Sequence, residues 1–488
     1  MDSNPEFLST PQTPSFAEEA DVIRKPRGYA WLAWLVIIAT IVLMVFRDAF
    51  VVEGEIADPS TIVHEIQAKY LVGASTLSGE NREMAERQIK LIYGSGSLRQ
   101  QLMGAILVGE LVGPDAVVTS LETLDSKVRT GQLNASDDDQ KILELLKQIE
   151  AAVSTKTPLD QSMKPDDWNE AQTFLPKKLG WIGRLALFPP GSPDRDARTR
   201  LIDHGRRTVF VMLGVFLLAI LAASGGLLLQ ILWIVFAATG RLRSGIGPLQ
   251  GNGAIYAETF AVWMVLFIVL NIGVMSLPIR KLGLIVVLIP QIGGIGALAW
   301  PILRGLSWRD VKTDIGLTLG PQPWSIPFVG VGAYLSALPV VGVAMLITLL
   351  MMAVAGQFAG EGDATGGPVH PIVEPILRGS WATRMQLVIV AIFAAVPEEI
   401  FFRGVLYRHL RETGIRVGYL FGVAFAATIS SFVFAVIHPQ GLFGIPILMG
   451  LAMVFALVRE WRGSLIPCMI AHALVNAGTS TVLLLIAD

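Results

Sequence analysis

From Thr208 to the end, the chain is a succession of apolar runs, most of them about twenty residues or longer: 208–239, 255–278, 282–303, 326–355, 385–407, 418–438, 441–458 and 463–486. A helix that crosses the hydrocarbon core of a bilayer needs about twenty such residues, and it satisfies every backbone polar group within itself. Only 16% of the residues are charged, against about 25% in an ordinary soluble chain, so lipid is the solvent for much of this one. The 48 glycines and 27 prolines lie largely in or beside the apolar runs, where membrane helices tolerate them. That placement excludes a collagen-like or disordered chain. One earlier run, Trp31 to Phe46, follows a polar arm and ends in Arg47 and Asp48 without a small-residue cleavage pattern. It reads as an uncleaved anchor.

The expected fold is an all-α polytopic membrane protein. Residues 1–27 form a disordered cytoplasmic arm, 28–46 a transmembrane anchor helix, 47–206 a helical extramembrane insert, and 207–488 a bundle of about eight transmembrane helices. Helical spacing recurs in the insert at Ile89–Leu111 and Asp138–Val153, and a protein partner is expected to bind there. A net charge of −2 leaves no basic field to hold nucleic acid. Cys468 is the only cysteine, so neither an intrachain disulfide nor a cysteine zinc cluster can form.

Basic residues flank the cytoplasmic ends of membrane helices. Arg24, Lys25 and Arg27 stand before the anchor, which predicts a cytoplasmic N-terminus with the insert on the opposite side. Alternating eight further spans puts Arg241 and Arg243, Arg304, Arg309 and Lys312, Arg408, Arg411 and Arg416, and Arg459 and Arg462 inside. Arg280, Lys281, Arg378 and Arg384 fall outside. The expected location is a bacterial plasma membrane. Trp31, Trp34, Trp300 and Trp308 read as interface anchors, and Gly356 to Pro375 as an outer loop.

A charge at bilayer depth costs about 2.5–3.5 kcal/mol on insertion scales, so an ionisable residue there has a partner or a task. Apart from Glu258 at the edge of its run, the polar set in the spans is Glu398, Glu399 and Arg403, then His438, then His472 with Asn476. Residues four apart share a helix face, so Glu399 pairs with Arg403 while Glu398 points elsewhere. Glu398 is thus the working carboxylate, with Glu399 and Arg403 its brace. Pro397 lacks an N–H and frees the carbonyl of Phe393, loosening the helix beside it. His472 and Asn476, also four apart, share a face of the last helix. Three helices can then converge a carboxylate, two imidazoles and a carboxamide, a set suited to deprotonating water and binding an oxyanion.

Glu398-Glu399-Ile400-Phe401-Phe402-Arg403, Phe434-Ala435-Val436-Ile437-His438 and His472-Ala473-Leu474-Val475-Asn476 resemble, in order and without substitution, three motifs of the CAAX protease and bacteriocin-processing family. That family includes the type II CAAX prenyl endopeptidases. The resemblance implies an intramembrane endopeptidase core over residues 208–488 and does not cover the insert. It implies that Glu398 and His438 activate the attacking water, that His472 and Asn476 stabilise the oxyanion, and that Glu399 and Arg403 support them. The substrate it implies is a peptide or membrane protein, with or without an attached lipid. By ligand type Glu398, His438 and His472 could hold a divalent metal such as zinc, yet they lie on separate helices without a short-range metal signature. No obligatory cofactor is therefore expected. One tension stands: His438 lies nearly 30 Å along its run from residue 418, while Glu398 is in the middle of its own. Either that helix enters the bilayer later, or the cavity is deep and tilted.

Other readings carry less. A non-catalytic scaffold could use the same polar set to hold a bundle together. A proton-coupled transporter would need a second broken helix to match Pro397, and none is evident. His64-Glu65 has no second histidine three residues on and is not a zincin motif. His409 reads as interfacial, and His204 and His370 as loop residues. Gly94-Ser95-Gly96 lies in the insert without a nucleophile-elbow context.

Overall fold

The computed structural model describes residues 28–46, 59–79, 82–154, 163–192, 194–249, 252–276, 285–358 and 372–487. The expected arm 1–27, Arg280 and Lys281, His370 and most of the loop Gly356–Pro375 lie outside the described residues. Every regular element among the described residues is helical.

The anchor, α1 (Ala30–Val45), is 16 residues long, about 24 Å at 1.5 Å per residue. Seven helices follow before the core: α2 (Pro59–Ser78), α3 (Arg82–Tyr93), α4 (Leu98–Leu111), α5 (Pro114–Arg129), α6 (Asp137–Ser154), α7 (Pro165–Leu179) and α8 (Trp181–Leu187). They share one apolar cluster, in which Leu102, Leu107, Ile142, Leu175 and Trp181 are almost wholly enclosed. In α6 the pattern is plain: Ile142, Leu145, Leu146 and Ile149 fall on one buried face, and Asp137, Asp138 and Asp139 sit at the positive end of the helix dipole. Lys178 of α7 pairs with Asp138 and holds its carboxyl below the usual range.

Burial has the opposite effect on Glu150, which lines a cavity of about 30 Å³ with Ile106, Val117 and Leu185. Its carboxyl is pushed up to about 6. The folded state then holds this proton more tightly than the unfolded state, so the group favours folding below the ordinary carboxyl pKa and loses that contribution as pH rises through 6. Glu150→Gln is expected to stabilise the insert by ~1 kcal/mol above neutral pH, after allowance for solvent screening, and to have no effect near pH 4. Thermal unfolding of the full chain across that pH range measures it.

The insert joins the core through α9 (Arg195–Ala238), a single helix of 44 residues. The expected boundary at 206/207 falls inside it. Arg198 makes a bidentate pair with Glu110 of α4, at 2.7 and 2.9 Å. α2 crosses α9 where Gly73 meets Gly205, so closely that a Cβ on Gly73 would collide with the Gly205 carbonyl.

Beyond α9 come α10 (Gly253–Ser276), α11 (Ile285–Gly294), α12 (Ala299–Leu303), α13 (Trp308–Ile315), α14 (Ile326–Phe358), α15 (Val373–Arg378), α16 (Trp381–Glu399), α17 (Tyr407–Gly414), α18 (Tyr419–Val436), α19 (Gly441–Arg462) and α20 (Ile466–Ile486). Among the described residues seven helices are long and apolar enough to cross a membrane, with α16 and α17 counted as one. The molecule is an all-α polytopic membrane protein. The third expected core span, 282–303, is interrupted: α11 gives way to a 3₁₀ turn at Ile295–Leu298 before α12 resumes. Pro290 removes a ladder donor and Gly293, Gly294 and Gly296 weaken the helix. Leu270 and Trp263 of α10 pack against Gly293 and Gly294. A second broken helix therefore does exist, but its described stretch carries no ionisable side chain with which to relay a proton.

Several polar residues assigned above to loops or interfaces are buried or half-buried instead. His409 is 6% exposed and bridges Trp34 Nε1 at 3.1 Å to the Gly253 carbonyl. Trp300 donates to Glu258. His204 lies within α9, against the carbonyl of Ala487. Arg411 forks onto Glu460, which also accepts from Tyr407, and Arg408 and Arg459 are enclosed as well. Charges satisfied by such partners are not free loop charges, so they weaken the orientation read from basic bias.

Candidate active site

Three segments meet around Glu398: α16 with its continuation, the end of α18, and α20. α16 contains Pro397 and runs without a break into a buried π-helical turn, Ile400–Leu406, before α17. Wide turns of this kind are frequent at functional positions because they re-aim side chains that a regular helix would stack. Here the turn still lets Arg403 reach back one turn, Nη1 to Glu399 Oε1 at 2.8 Å. Both members of the pair are sealed from solvent, at 1% and 0% exposure. Aromatic rings box the guanidinium, with its central carbon 4.5 Å from the Phe434 ring centre and 5.5 Å from that of Phe455.

The same Glu399 oxygen holds the last helix, since His472 Nδ1 lies 2.8 Å away. A carboxylate can only accept, so Nδ1 carries the hydrogen and the neutral ring presents Nε2 as an acceptor. His438 is arranged likewise. It sits two residues past the end of α18, with Nδ1 on the carbonyl of Phe434. The two Nε2 atoms then face one oxygen, Glu398 Oε2, at 3.8 Å from His438 and 3.6 Å from His472. These gaps exceed direct hydrogen bonds. Three acceptors at such spacing are satisfied by one species shared between them, a donor such as water or a cation. Glu398 and His438 keep 16% and 17% exposure, so the group is reachable while its brace is not.

The difference in depth expected between Glu398 and His438 disappears because the helix that carries Glu398 is longer than its apolar run. α16 and α17 together reach Gly414, well past residue 407. Glu398 is then 16 residues before the turn and His438 about as far after it, so antiparallel packing of α17 and α18 brings both to one level. The polar stretch Arg408–Arg411 stays helical and buried through the pairs described above.

Asn476, on the same helix as His472, contacts the backbone of α16. Its Nδ2 donates to the backbone carbonyl of Ala391 at 2.7 Å, two turns before Glu398 on α16. That bond clamps α20 to α16. Phe455, which contacts both Arg403 and His472, was not foreseen: it lies in an apolar run without a motif, where one more phenylalanine carries no signal. Among the described residues no group of three His, Cys, Asp or Glu side chains is arranged to hold a metal ion. The donor types of Glu398, His438 and His472 suit zinc.

Residues 380–478 match the family model described as Rce1-like, type II CAAX prenyl endopeptidase Rce1-like. Comparisons with curated proteins and with solved structures find no match. The matched segment, about a fifth of the chain, opens at the N-cap of α16 and closes two residues beyond Asn476, so it takes in all three motifs. The part of this protein that brings Glu398, His438 and His472 together therefore carries the signature of the Rce1-like type II CAAX prenyl endopeptidases.

Proposed function

We propose that this chain is an intramembrane endopeptidase that hydrolyses a peptide bond presented to Glu398 from the membrane. The observation that carries this reading is the convergence of His438 Nε2 and His472 Nε2 on Glu398 Oε2, at 3.8 and 3.6 Å, in a segment similar to a protease family. A water molecule shared by Glu398 and His438 gives its proton to the carboxylate and its oxygen to the scissile carbonyl. Glu398 then returns the proton to the leaving amine. The charge that develops on the carbonyl oxygen needs donors. His472 supplies one from Nε2 when both its ring nitrogens carry hydrogen. Asn476 retains a second amide hydrogen beyond the one on Ala391.

Glu399 and Arg403 act through position in this scheme. One carboxylate oxygen fixes both the guanidinium and the ring of His472, so the imidazole is oriented before substrate arrives. The cleaved segment enters extended or unwound, since a helix buries its own carbonyls. The substrate class that fits is a protein held to the bilayer by a lipid or by its own apolar helix.

Comparison of peptide fragments from membranes with and without the protein tests the reading, and new fragments ending in the apolar or juxtamembrane part of a substrate are the expected result. Cleavage in washed vesicles is expected to persist within about twofold after treatment with a strong chelator, since no step here runs through a metal. Loss of cleavage that zinc restores would make Glu398, His438 and His472 metal ligands instead.

A further inference from the structure

Exposure along the helix that carries Glu398 changes abruptly at that residue. From Glu399 to Arg411 every residue is buried, through the π-helical turn and into α17. From Trp381 to Val396 only Val390 and Ala395 are buried. The last helix repeats the step: Ala471 and His472 are buried, whereas Ala473 to Gly478 are half-buried and Thr479 is exposed. The site is therefore sealed on one side and open on the other.

A short hairpin is the cause. α18 and α19 turn back at residues 437–440, level with Glu398, because His438 lies in that turn 3.8 Å from the carboxylate. Pro439, at the tip, is exposed. Neighbouring helices continue past it. α16 extends 17 residues from Glu398 back to Trp381, about 25 Å, and α20 extends 14 residues from His472 to Ile486, about 21 Å. α14 meets the hairpin where Thr348 donates to the carbonyl of Phe443 at 2.9 Å, then runs ten residues further to Phe358, about 15 Å. Three helices thus stand over a floor made by the hairpin tip, with no turn of α18 or α19 between them.

The open side is the insert's side. Lys69 of α2 donates to the carbonyl of Ile486 at 3.4 Å, Ile62 packs with Leu377 and Ile486, and Arg378, just before α16, pairs with Glu65 at 2.9 Å. The sealed side ends at the turn between α17 and α18, where Val417 is exposed. Exposed side chains on the rising stretches are mostly apolar, with Leu350 and Val354 on α14 and Ile389 and Phe393 on α16. Such walls suit an apolar, membrane-held segment better than a free polar peptide. We infer that the substrate reaches Glu398 from the insert's side of the membrane, down a cleft walled by α14, α16 and α20, so that the insert stands beside the mouth of the active site. The insert reaches down to Arg384, which lines a cavity with Glu65. Arg384 and Glu398 are 14 residues apart on one helix, about 21 Å, which an extended chain covers in about six residues. A folded domain on that side therefore needs about six residues of extended chain between itself and the bond that is cut.

The inference rests on the endopeptidase reading for what enters and on packing alone for the route, and the two are tested apart. Cys468 is the only cysteine and is buried, so single cysteines can be added to the full chain without removing it. A membrane-impermeant maleimide is applied to intact cells and to inverted vesicles. Leu91→Cys, exposed on the insert, and Val417→Cys mark the two faces. Pro439→Cys is expected to react about tenfold faster from the face that labels Leu91→Cys than from the other. Ala394→Cys, one turn before Glu398 on the same face of α16, should behave alike, and it keeps the test decisive where Pro439→Cys does not accumulate. Reaction from the face that labels Val417→Cys, or from neither face, overturns the route. Membrane-held fusions with about 3 or about 12 residues between a folded domain on the insert's side and the cleaved bond test the length requirement. The shorter fusion is expected to be cut about tenfold more slowly, and equal rates overturn the requirement. If no fusion is cut, the endopeptidase reading fails while the labelling still decides the route.

Discussion

Glu398→Gln is expected to lower hydrolysis of a membrane-held peptide by about 10²–10⁴-fold, the range that removal of a general base produces. Glutamine keeps the shape of the side chain and one acceptor oxygen, yet it cannot take a proton from water. Glu398 is partly exposed, and the brace behind it involves Glu399 rather than this carboxylate. Folding should therefore survive, with an unchanged unfolding midpoint and normal accumulation in membranes. Initial cleavage rates of a tagged substrate in vesicles, measured beside thermal unfolding, give both readouts. Undiminished cleavage by a folded Glu398→Gln protein would falsify the proposed base. Partner capture that persists without any cleavage, in variant and unmodified chain alike, would favour a scaffold. Proton flux that depends on Glu398 would favour a transporter.

The second large effect is on stability. Arg403→Leu leaves Glu399 wholly enclosed with only His472 against it, and an uncompensated buried charge of this kind costs about 3–5 kcal/mol. A large fall in unfolding midpoint, or loss of the protein from membranes, is the expected outcome. Arg403→Lys should recover part of the loss, since an ammonium restores the charge but neither the planar fork nor its stacking on Phe434. Combining Arg403→Leu with Glu399→Gln should be less harmful than Arg403→Leu alone, because the orphaned carboxylate goes with it. That double variant would still be slow in cleavage, its His472 having lost the carboxylate that orients the ring. An Arg403→Leu protein that melts like the unmodified chain would mean that the pair contributes nothing to the bundle.

Much of the fold was legible because membrane helices are local objects. Seven of the eight expected core spans coincide with helices, and Glu399 pairs with Arg403 as four-residue spacing requires. The broken run at 282–303 was written in Pro290 and the glycines after it, although apolar length alone passed over them. Less accessible was the fate of polar residues whose partners are remote in sequence. Arg411 reaches Glu460 across 49 positions, and His409 reaches Trp34 across 375. No pattern within one segment announces such pairs, so a polar stretch that continues a helix inward reads as an interfacial flank.

The amino-acid sequence by itself determined that this protein lives in a bilayer, that apart from Glu258 the ionisable side chains of its apolar runs lie in the last hundred residues, and that Glu398 rather than Glu399 faces away from Arg403. Each of these follows from hydropathy or from the 3.6-residue helical repeat, which act over one or two turns. Only the tertiary structure decided that Glu399 also orients His472, that Asn476 clamps α16 through Ala391, and that His438 reaches the depth of Glu398. These depend on how far α17 extends and on the register between helices. Register is set by close packing between segments that no local period connects.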